Sequence, residues 1–468
     1  MKTLHKILFA TVLLGTVSCK EEFLQTEPTE LISANQIAEA SALNPGLQSA
    51  NVAGIYATMY GAGTGGTSGH DDFGHKSYDM YGDLLSGDMA LTSVIYGWFR
   101  TITEFQTTVD YTQADNYQVW RFYYRLIFAA NTVIDGLGGS EAIPGTAAGR
   151  WYMGQAKTMR AFSYFYLAQY FQNEYTPSEK ILPLYKNTVD PNLPKSSAAD
   201  VYALMVKDLT DAQSLLSDFS RSNKSEVNAS VAKGMLAYVH GAMGNNAAMK
   251  TVTADVISTG GFKIMTAAEA TGGFNNLGTS QWMWGVDITV DSKLGLISWW
   301  GQMDLYTYSY AWAGDIKGMD KALYDGIPAD DIRKAQFSAT TKLAPIGKFY
   351  HPNKVIGGQR TIDADYIYMR VEEMYLLNAE ACAKTGDEAG ARKSLKAIMA
   401  LRVPDASYID ALTGKALQDE IYLQTRIELW GEGKSYLSLK RNKGTTNRGS
   451  NHLKFVGTPV PHNDTRLT

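Results

Sequence analysis

Tyr375-Leu-Leu-Asn-Ala-Glu-Ala-Cys-Ala-Lys-Thr-Gly-Asp-Glu-Ala389 is the stretch on which the fold turns. Ala379, Ala381 and Ala383 give a helix a face small enough for a neighbouring helix to approach closely. Gly386 can end that helix, because glycine enters left-handed backbone without a Cβ penalty. Asp387 is placed to cap the helix that follows. The segment therefore reads as two helices joined by a tight turn. Tyr368 to Lys384 carries the first apolar period and Glu388 to Leu401 the second.

The same pattern recurs outward. Asn116 to Leu137 spaces Trp120, Tyr123, Tyr124, Ile127, Ala130, Asn131 and Ile134 three or four apart, and Gly136, Gly138 and Gly139 end it. Trp151 to Phe171 repeats the spacing and stops before Pro177. Ser197-Ala-Ala-Asp200 looks like a helix start with an acid in the first turn. Asn228 to Met243, Ala247 to Ile257 and Asp419 to Trp430 complete the set. Helix pairs with an Ala-rich face and a tight turn resemble tetratricopeptide units. The expected fold is mainly α, a tetratricopeptide-like helical-pair scaffold with helical repeats at about 116–258 and 366–441. Trp120, Trp151 and Trp430 fall inside this periodicity and are read as helix-packing residues.

Two stretches break the pattern. Gly61 to Thr112 is rich in Gly, Ser, Thr and aromatics. An irregular, loop-rich lobe at about 260–363 holds Trp282, Trp284, Trp299, Trp300 and Trp312, five of the nine Trp. Gln281 to Ile288 reads as a short strand inside it. Loops this long in a compact domain are usually functional.

The amino terminus reads as an export leader. Lys2 and Lys6 precede the apolar run Ile7–Leu14, and Ser18 precedes Cys19. The run is about half the ~20 residues a membrane-spanning helix needs. Residues 1–18 are expected to be a lipoprotein signal peptide and Cys19 the lipidated residue, although Thr16 stands where such signals usually have Leu. Stable anchoring needs two or more acyl chains. Residues 19–35 then form a lipid-anchored linker, and 36–468 a single domain. Losing Lys2 and Lys6 with the leader takes the net charge from −4 to −6. A mildly acidic chain without a basic run argues against nucleic acid as a ligand. With Cys19 acylated, Cys382 stands alone, so the domain must hold together by its core.

Several chemical patterns fail on inspection. Gly61-Ala-Gly63-Thr-Gly65-Gly66 matches a dinucleotide fingerprint but follows a helix-like stretch and precedes no helix. His70 and His75 lie near Asp71 and Asp72, short of the converging ligands a metal needs, and read as a wet loop. Glu372 and Glu373 point about 100° apart on one helix, so they cannot both face a cleft as glycoside hydrolysis requires. They read as helix-surface charge, and Asp363 and Asp365 as loop. No nucleophile elbow or Cys–His pairing appears. No catalytic residue, cofactor or metal is expected.

The segments together resemble the SusD/RagB family of Bacteroidetes lipoproteins. Cys19-Lys-Glu-Glu-Phe-Leu with Pro28, Arg160-Ala-Phe-Ser-Tyr-Phe-Tyr-Leu-Ala-Gln-Tyr-Phe171, Tyr368 to Ala381, and Glu428-Leu-Trp-Gly-Glu-Gly-Lys434 with Leu439-Lys-Arg441 carry the resemblance in the right order. Gln424-Thr425, Lys434 and Ser438 depart from the family pattern, which touches local surface pairings. The resemblance implies a helical scaffold whose irregular lobe carries the ligand. It implies a surface-exposed, lipid-anchored position on the outer membrane. The partner it implies is a SusC-like TonB-dependent transporter that receives captured oligosaccharide, or in some members peptide.

Sugar rings offer C–H faces and hydroxyl edges, which rigid aromatics and neighbouring Asn, Asp, Gln or Arg match. The chain carries 28 Tyr and 9 Trp. The expected ligand-binding residues are Tyr81, Trp98, Trp299, Trp300, Tyr310 and Trp312. In an extended chain the alternation Tyr306-x-Tyr308-x-Tyr310-x-Trp312 sets four rings on one side. A lipid-anchored tetratricopeptide-type adaptor binding protein partners is the alternative reading.

Overall fold

The computed structural model describes residues 36, 40–41 and 44–468. The signal peptide, Cys19 and the linker to residue 35 lie outside the described residues. The chain runs through α1 (Gln48–Thr58), α2 (His75–Ser86), β1 (Met89–Leu91), α3 (Ala114–Gly136), α4 (Ala147–Phe171), α5 (Ala198–Leu215), α6 (Ala229–Ala242) and α7 (Asn246–Thr259). After the lobe, with β2 (Trp282–Val286), β3 (Lys317–Met319) and β4 (Tyr366–Arg370), come α8 (Val371–Lys384), α9 (Glu388–Met399), α10 (Gly414–Glu428) and α11 (Ser435–Arg441).

Caps set the helix ends. Ser197 Oγ accepts from the Asp200 N–H (3.1 Å) and Asn228 Oδ1 from Val231 N–H (3.1 Å). Asp387 Oδ1 accepts from Gly390 N–H (2.9 Å), and Gly386 has φ +80°. Each such cap is worth about 1 kcal/mol. α4 begins four residues before the periodic stretch because Thr146 caps it through Gly149 N–H (3.1 Å).

Helices adjacent in sequence pack in series from α3 to α7. α7 then packs on α8, although the whole lobe separates them in sequence. The scaffold is thus continuous and the lobe is an excursion from it. Two antiparallel pairs staple the lobe down: β1 with β3 (Met89↔Met319), and β2 with β4 (Trp282↔Arg370). One large apolar core spans scaffold and lobe, and a smaller one gathers Leu376, Cys382, Leu395, Ile398 and Ile421 from α8, α9 and α10.

α2 corrects the reading of Gly61–Thr112 as irregular throughout. Every residue of this helix is buried. Its polar composition hides it from periodicity, because its charges pair internally rather than face water. Lys76 Nζ meets Asp79 at 2.9 Å and His75 Nε2 meets Asp79 at 3.2 Å, while His75 Nδ1 bonds the Tyr123 hydroxyl (2.9 Å). His75 is therefore a core residue, not part of a wet loop.

Glu372 and Glu373, expected on a helix surface, are also buried. They belong to an ion network that α10 and the turn after it complete. Arg402 holds Glu428 bidentately (2.9 and 2.8 Å). Arg370 reaches Glu428 (2.9 Å) and Glu432 (2.8 and 2.9 Å), and Arg333 adds a 3.2 Å contact to Glu428. Lys348, from the lobe, bonds Glu432 (2.8 Å) and the carbonyls of Glu428 and Trp430. Glu372 accepts from Met265 N–H (2.6 Å) and lies 3.2 Å from Arg370. Glu373 accepts from the Tyr238 hydroxyl (2.6 Å). Burial alone would raise the Glu428 carboxyl, but Arg402 and Arg370 hold it well below the usual carboxylate range. Gln424, Lys434 and Ser438 are buried here too, so the departures from the family pattern alter a core, not surface pairings.

Candidate functional site

The surface that displays aromatic rings is built from two loops pinned to each other. Residues 92–98 follow β1, and residues 304–316 precede β3. Asp315 fixes the tip of the first loop, accepting from Ile95 N–H (2.6 Å) and Tyr96 N–H (2.9 Å). Thr92 N–H donates to the Ile316 carbonyl (3.0 Å), and Ser93 Oγ to that of Gly314. The second loop is wound by Asp304, whose carboxylate accepts from Tyr306 N–H (3.0 Å), the Thr307 hydroxyl (2.8 Å) and His351 N–H (3.0 Å). Burial raises Asp304, and those three bonds act against the rise.

This winding changes the expected stripe. Residues 306–312 are turned, not extended, so the four rings do not share one side. They divide into two groups. Tyr308 and Trp312 meet at 5.4 Å between centroids, with the Arg360 guanidinium 4.2 Å over the Tyr308 ring. Trp312 is 44% exposed, and Val355 and Ile356 stand exposed in the segment leading to Gly357. Gly357 lies so close that a Cβ there would fall 2.6 Å from the indole. In the second group Trp98 stacks flat on His70 (5.0 Å, 1°) and meets Tyr310 edge-on (6.2 Å). Tyr96, 56% exposed, leans on Tyr310 at 5.0 Å. Tyr310 and His70 share a 2.5 Å hydrogen bond.

Of the six expected residues, Trp312 is exposed and Trp98 is partly buried at the edge of the core. The other four are corrected. Tyr81 is 0% exposed inside α2, with its hydroxyl on Asp115 (3.1 Å). Trp299 and Trp300 are core residues, and the Trp300 indole N–H donates to the Ala364 carbonyl (2.9 Å). They sit on a short helix, Trp299–Met303, that fills the lobe's interior. Tyr310 is 6% exposed and packs beneath Tyr96, Trp98 and His70. Sequence reading passed over Tyr96 and Arg360, and took His70, which stacks on Trp98, for part of a wet loop. The Arg360–Tyr308 pairing crosses 52 positions, and no local pattern announces it.

Charge beneath the rings is buried. Lys317 Nζ donates to Gln302 Oε1 (2.6 Å), and Gln302 Nε2 to the His70 carbonyl (2.8 Å). Burial pulls the Lys317 ammonium down to about 7 against Asp315 and Asp71. Burial likewise pushes the Asp71 carboxyl up to about 7, with Asp115 adding to it. At the surface itself Arg360 is an exposed charge, and among the described residues it has no ion-pair partner. Among the described residues no group of His, Cys, Asp or Glu could hold a metal ion. The arrangement can stack flat rings and offer a guanidinium fork; it presents no facing carboxylates.

The fold on the page is a scaffold of helical pairs carrying an irregular lobe with displayed aromatic rings. The family model described as "Starch-binding associating with outer membrane" matches residues 73–240, and the model described as "SusD family" matches residues 298–458. The chain belongs to the SusD/RagB family. Among solved structures it is similar to a SusD-like carbohydrate binding protein from Bacteroides vulgatus, at 25% identity over 86% of this chain and 84% of that one, TM-score 0.72. A putative sugar binding protein from the same organism shares the fold at 23% identity, 89% and 91% coverage, TM-score 0.71. So does a protein crystallised with xylogluco-oligosaccharide, at 18% identity, 84% and 82% coverage, TM-score 0.61. A comparison with curated proteins found no significant match.

Proposed function

We propose that this protein captures oligosaccharides at the cell surface on the Tyr308–Trp312 and Trp98–Tyr96 rings. It then delivers them, without catalysis, to a SusC-like TonB-dependent transporter. The observation that carries the reading is the exposed Trp312 beside Tyr308, with Arg360, which has no ion-pair partner among the described residues, over the Tyr308 ring. An indole face matches the C–H side of a pyranose, and a guanidinium fork matches adjacent hydroxyls. A structural relative described as carbohydrate binding, and another crystallised with xylogluco-oligosaccharide, support the ligand class. The leader read over residues 1–18, with Cys19 next to it, supports anchoring at the outer membrane through lipid alone. Among the described residues no helix is long and apolar enough to cross a membrane.

Isothermal titration against neutral oligosaccharides and peptides tests this. Binding of a saccharide that weakens on Trp312→Ala supports it. A folded protein that binds no saccharide, or binds one equally well after Trp98→Ala and Trp312→Ala together, overturns it.

A further inference from the structure

A second aromatic cavity lies on the helical scaffold and shares no residue with the rings described above. It has a volume of about 360 Å³, within the range of small-molecule sites. α3 supplies Trp120, Tyr124 and Phe128, one turn apart along one face, and the strap 183–192 supplies Tyr185, Asp190 and Asn192. Phe128 is exposed at its mouth. The rings are mutually inclined: Trp120 meets Tyr124 at 44° and Tyr124 meets Tyr185 at 83°.

The strap is fixed before any ligand arrives. The buried Arg160 donates to the Lys186 carbonyl (3.0 Å) and to Asn131 Oδ1 (2.9 Å). Asn131 Nδ2 in turn donates to the carbonyls of Tyr185 and Asn187 (3.3 Å each). Asp135 Oδ2 accepts from both the N–H and the hydroxyl of Thr188 (2.7 and 2.8 Å). Tyr124 donates its hydroxyl to the Pro183 carbonyl (2.8 Å). A cavity held this way loses little conformational entropy on binding.

Its unused hydrogen-bonding capacity tells what it takes. Among the described residues the Trp120 indole N–H and the Asn192 amide have no partner. The Tyr185 hydroxyl accepts from Leu193 N–H (3.3 Å) and keeps its own proton to give. Asp190 accepts from Lys186 N–H (3.2 Å) and Asn187 Nδ2 (2.9 Å), and its oxygens retain lone pairs. Aromatic faces with a carboxylate also suit a quaternary ammonium. Such a cation accepts no hydrogen bond, however, and would leave the indole, hydroxyl and amide donors idle. A sugar ring suits such a lining, with C–H faces for the rings and hydroxyls that both give and accept.

We infer that this cavity is a second saccharide subsite, holding a neutral pyranose unit against Trp120 and Tyr124 under the Tyr185–Asn192 strap. It would grip a distal part of a long glycan or a separate chain.

The test silences the first site with Trp98→Ala/Trp312→Ala and measures saturation-transfer NMR on the mature protein. The probes are maltohexaose, cellohexaose, a xylogluco-oligosaccharide and choline. Saccharide signal that persists, and falls at least tenfold on adding Phe128→Ser/Asn192→Ala, is the expected result. Both added positions are exposed, so the melting temperature is expected to hold and serves as the folding control. Saccharide signal unmoved by Phe128→Ser/Asn192→Ala, no saccharide signal at all, or choline bound in preference, overturns the subsite. The two readings fail separately. Trp98→Ala/Trp312→Ala without effect on total affinity sinks the first site, whereas Phe128→Ser/Asn192→Ala without effect sinks the second.

Discussion

The segment Glu428–Lys434 and the turn Tyr308–Trp312 are both dense in chemistry-bearing side chains, and they use them in opposite ways. The first buries its charges: Glu428 and Glu432 vanish among Arg370, Arg402, Arg333 and Lys348 and leave nothing for a ligand. The second leaves Tyr308 and Trp312 partly in water, with the exposed Arg360 guanidinium beside them. The segment that carries the C-terminal part of the resemblance is thus a clamp joining lobe to scaffold. The proposed recognition surface is a turn with no motif at all. Residues that hold a fold must meet fixed partners, whereas residues that meet a ligand need only be displayed.

The comparison predicts a hierarchy of effects. Glu428→Gln should be the most damaging, because it strands buried arginines; breaking a buried pair costs about 3–5 kcal/mol. Urea unfolding would report it, with saccharide affinity unchanged wherever the protein still folds. Trp300→Ala should likewise cost about 3–5 kcal/mol of stability as a core truncation. Trp312→Ala should reverse that split, losing about 1–3 kcal/mol of binding by titration calorimetry while the melting temperature holds.

Acid should loosen the scaffold at a definable place. Burial would raise the Glu380 carboxyl, but Arg441 and Lys384 outweigh it and bring the folded value to about 2, against an ordinary 4.5. The unfolded chain therefore takes the proton first. The stability this pair contributes is full above pH 4.5 and is lost as pH falls towards 2. Unfolding free energies across that window should flatten in Glu380→Gln relative to the parent. The smallest effect is expected of His70→Ala. It removes the ring under Trp98 and the bond to Tyr310, and should weaken saccharide binding severalfold by tilting an intact indole.

Much of the scaffold could be read from sequence because helix pairing leaves local marks. Asp387 caps as its position suggests, Gly386 turns left-handed, and the small face of α8 packs as alanines allow. α2 escaped because its partners are distant: Asp83 accepts from Gly433 N–H, 350 residues away (3.1 Å). Glu372 and Glu373 misled for the same reason, since charge on a helix reads as surface until its counter-ions are known. The site was partly legible. Aromatic density marked the loops that display rings, and Trp98 and Trp312 stand where a ligand could meet them. Density alone could not separate them from Trp299 and Trp300, which fill the lobe's interior. That distinction depends on burial, which the turn wound by Asp304 decides.

A crystal structure of the mature protein with a bound oligosaccharide tests the central claim most directly. A pyranose face on the Trp312 indole, with hydroxyls within reach of Arg360, is the predicted result. A saccharide bound elsewhere while Trp312, Tyr308 and Tyr96 remain bare would contradict it.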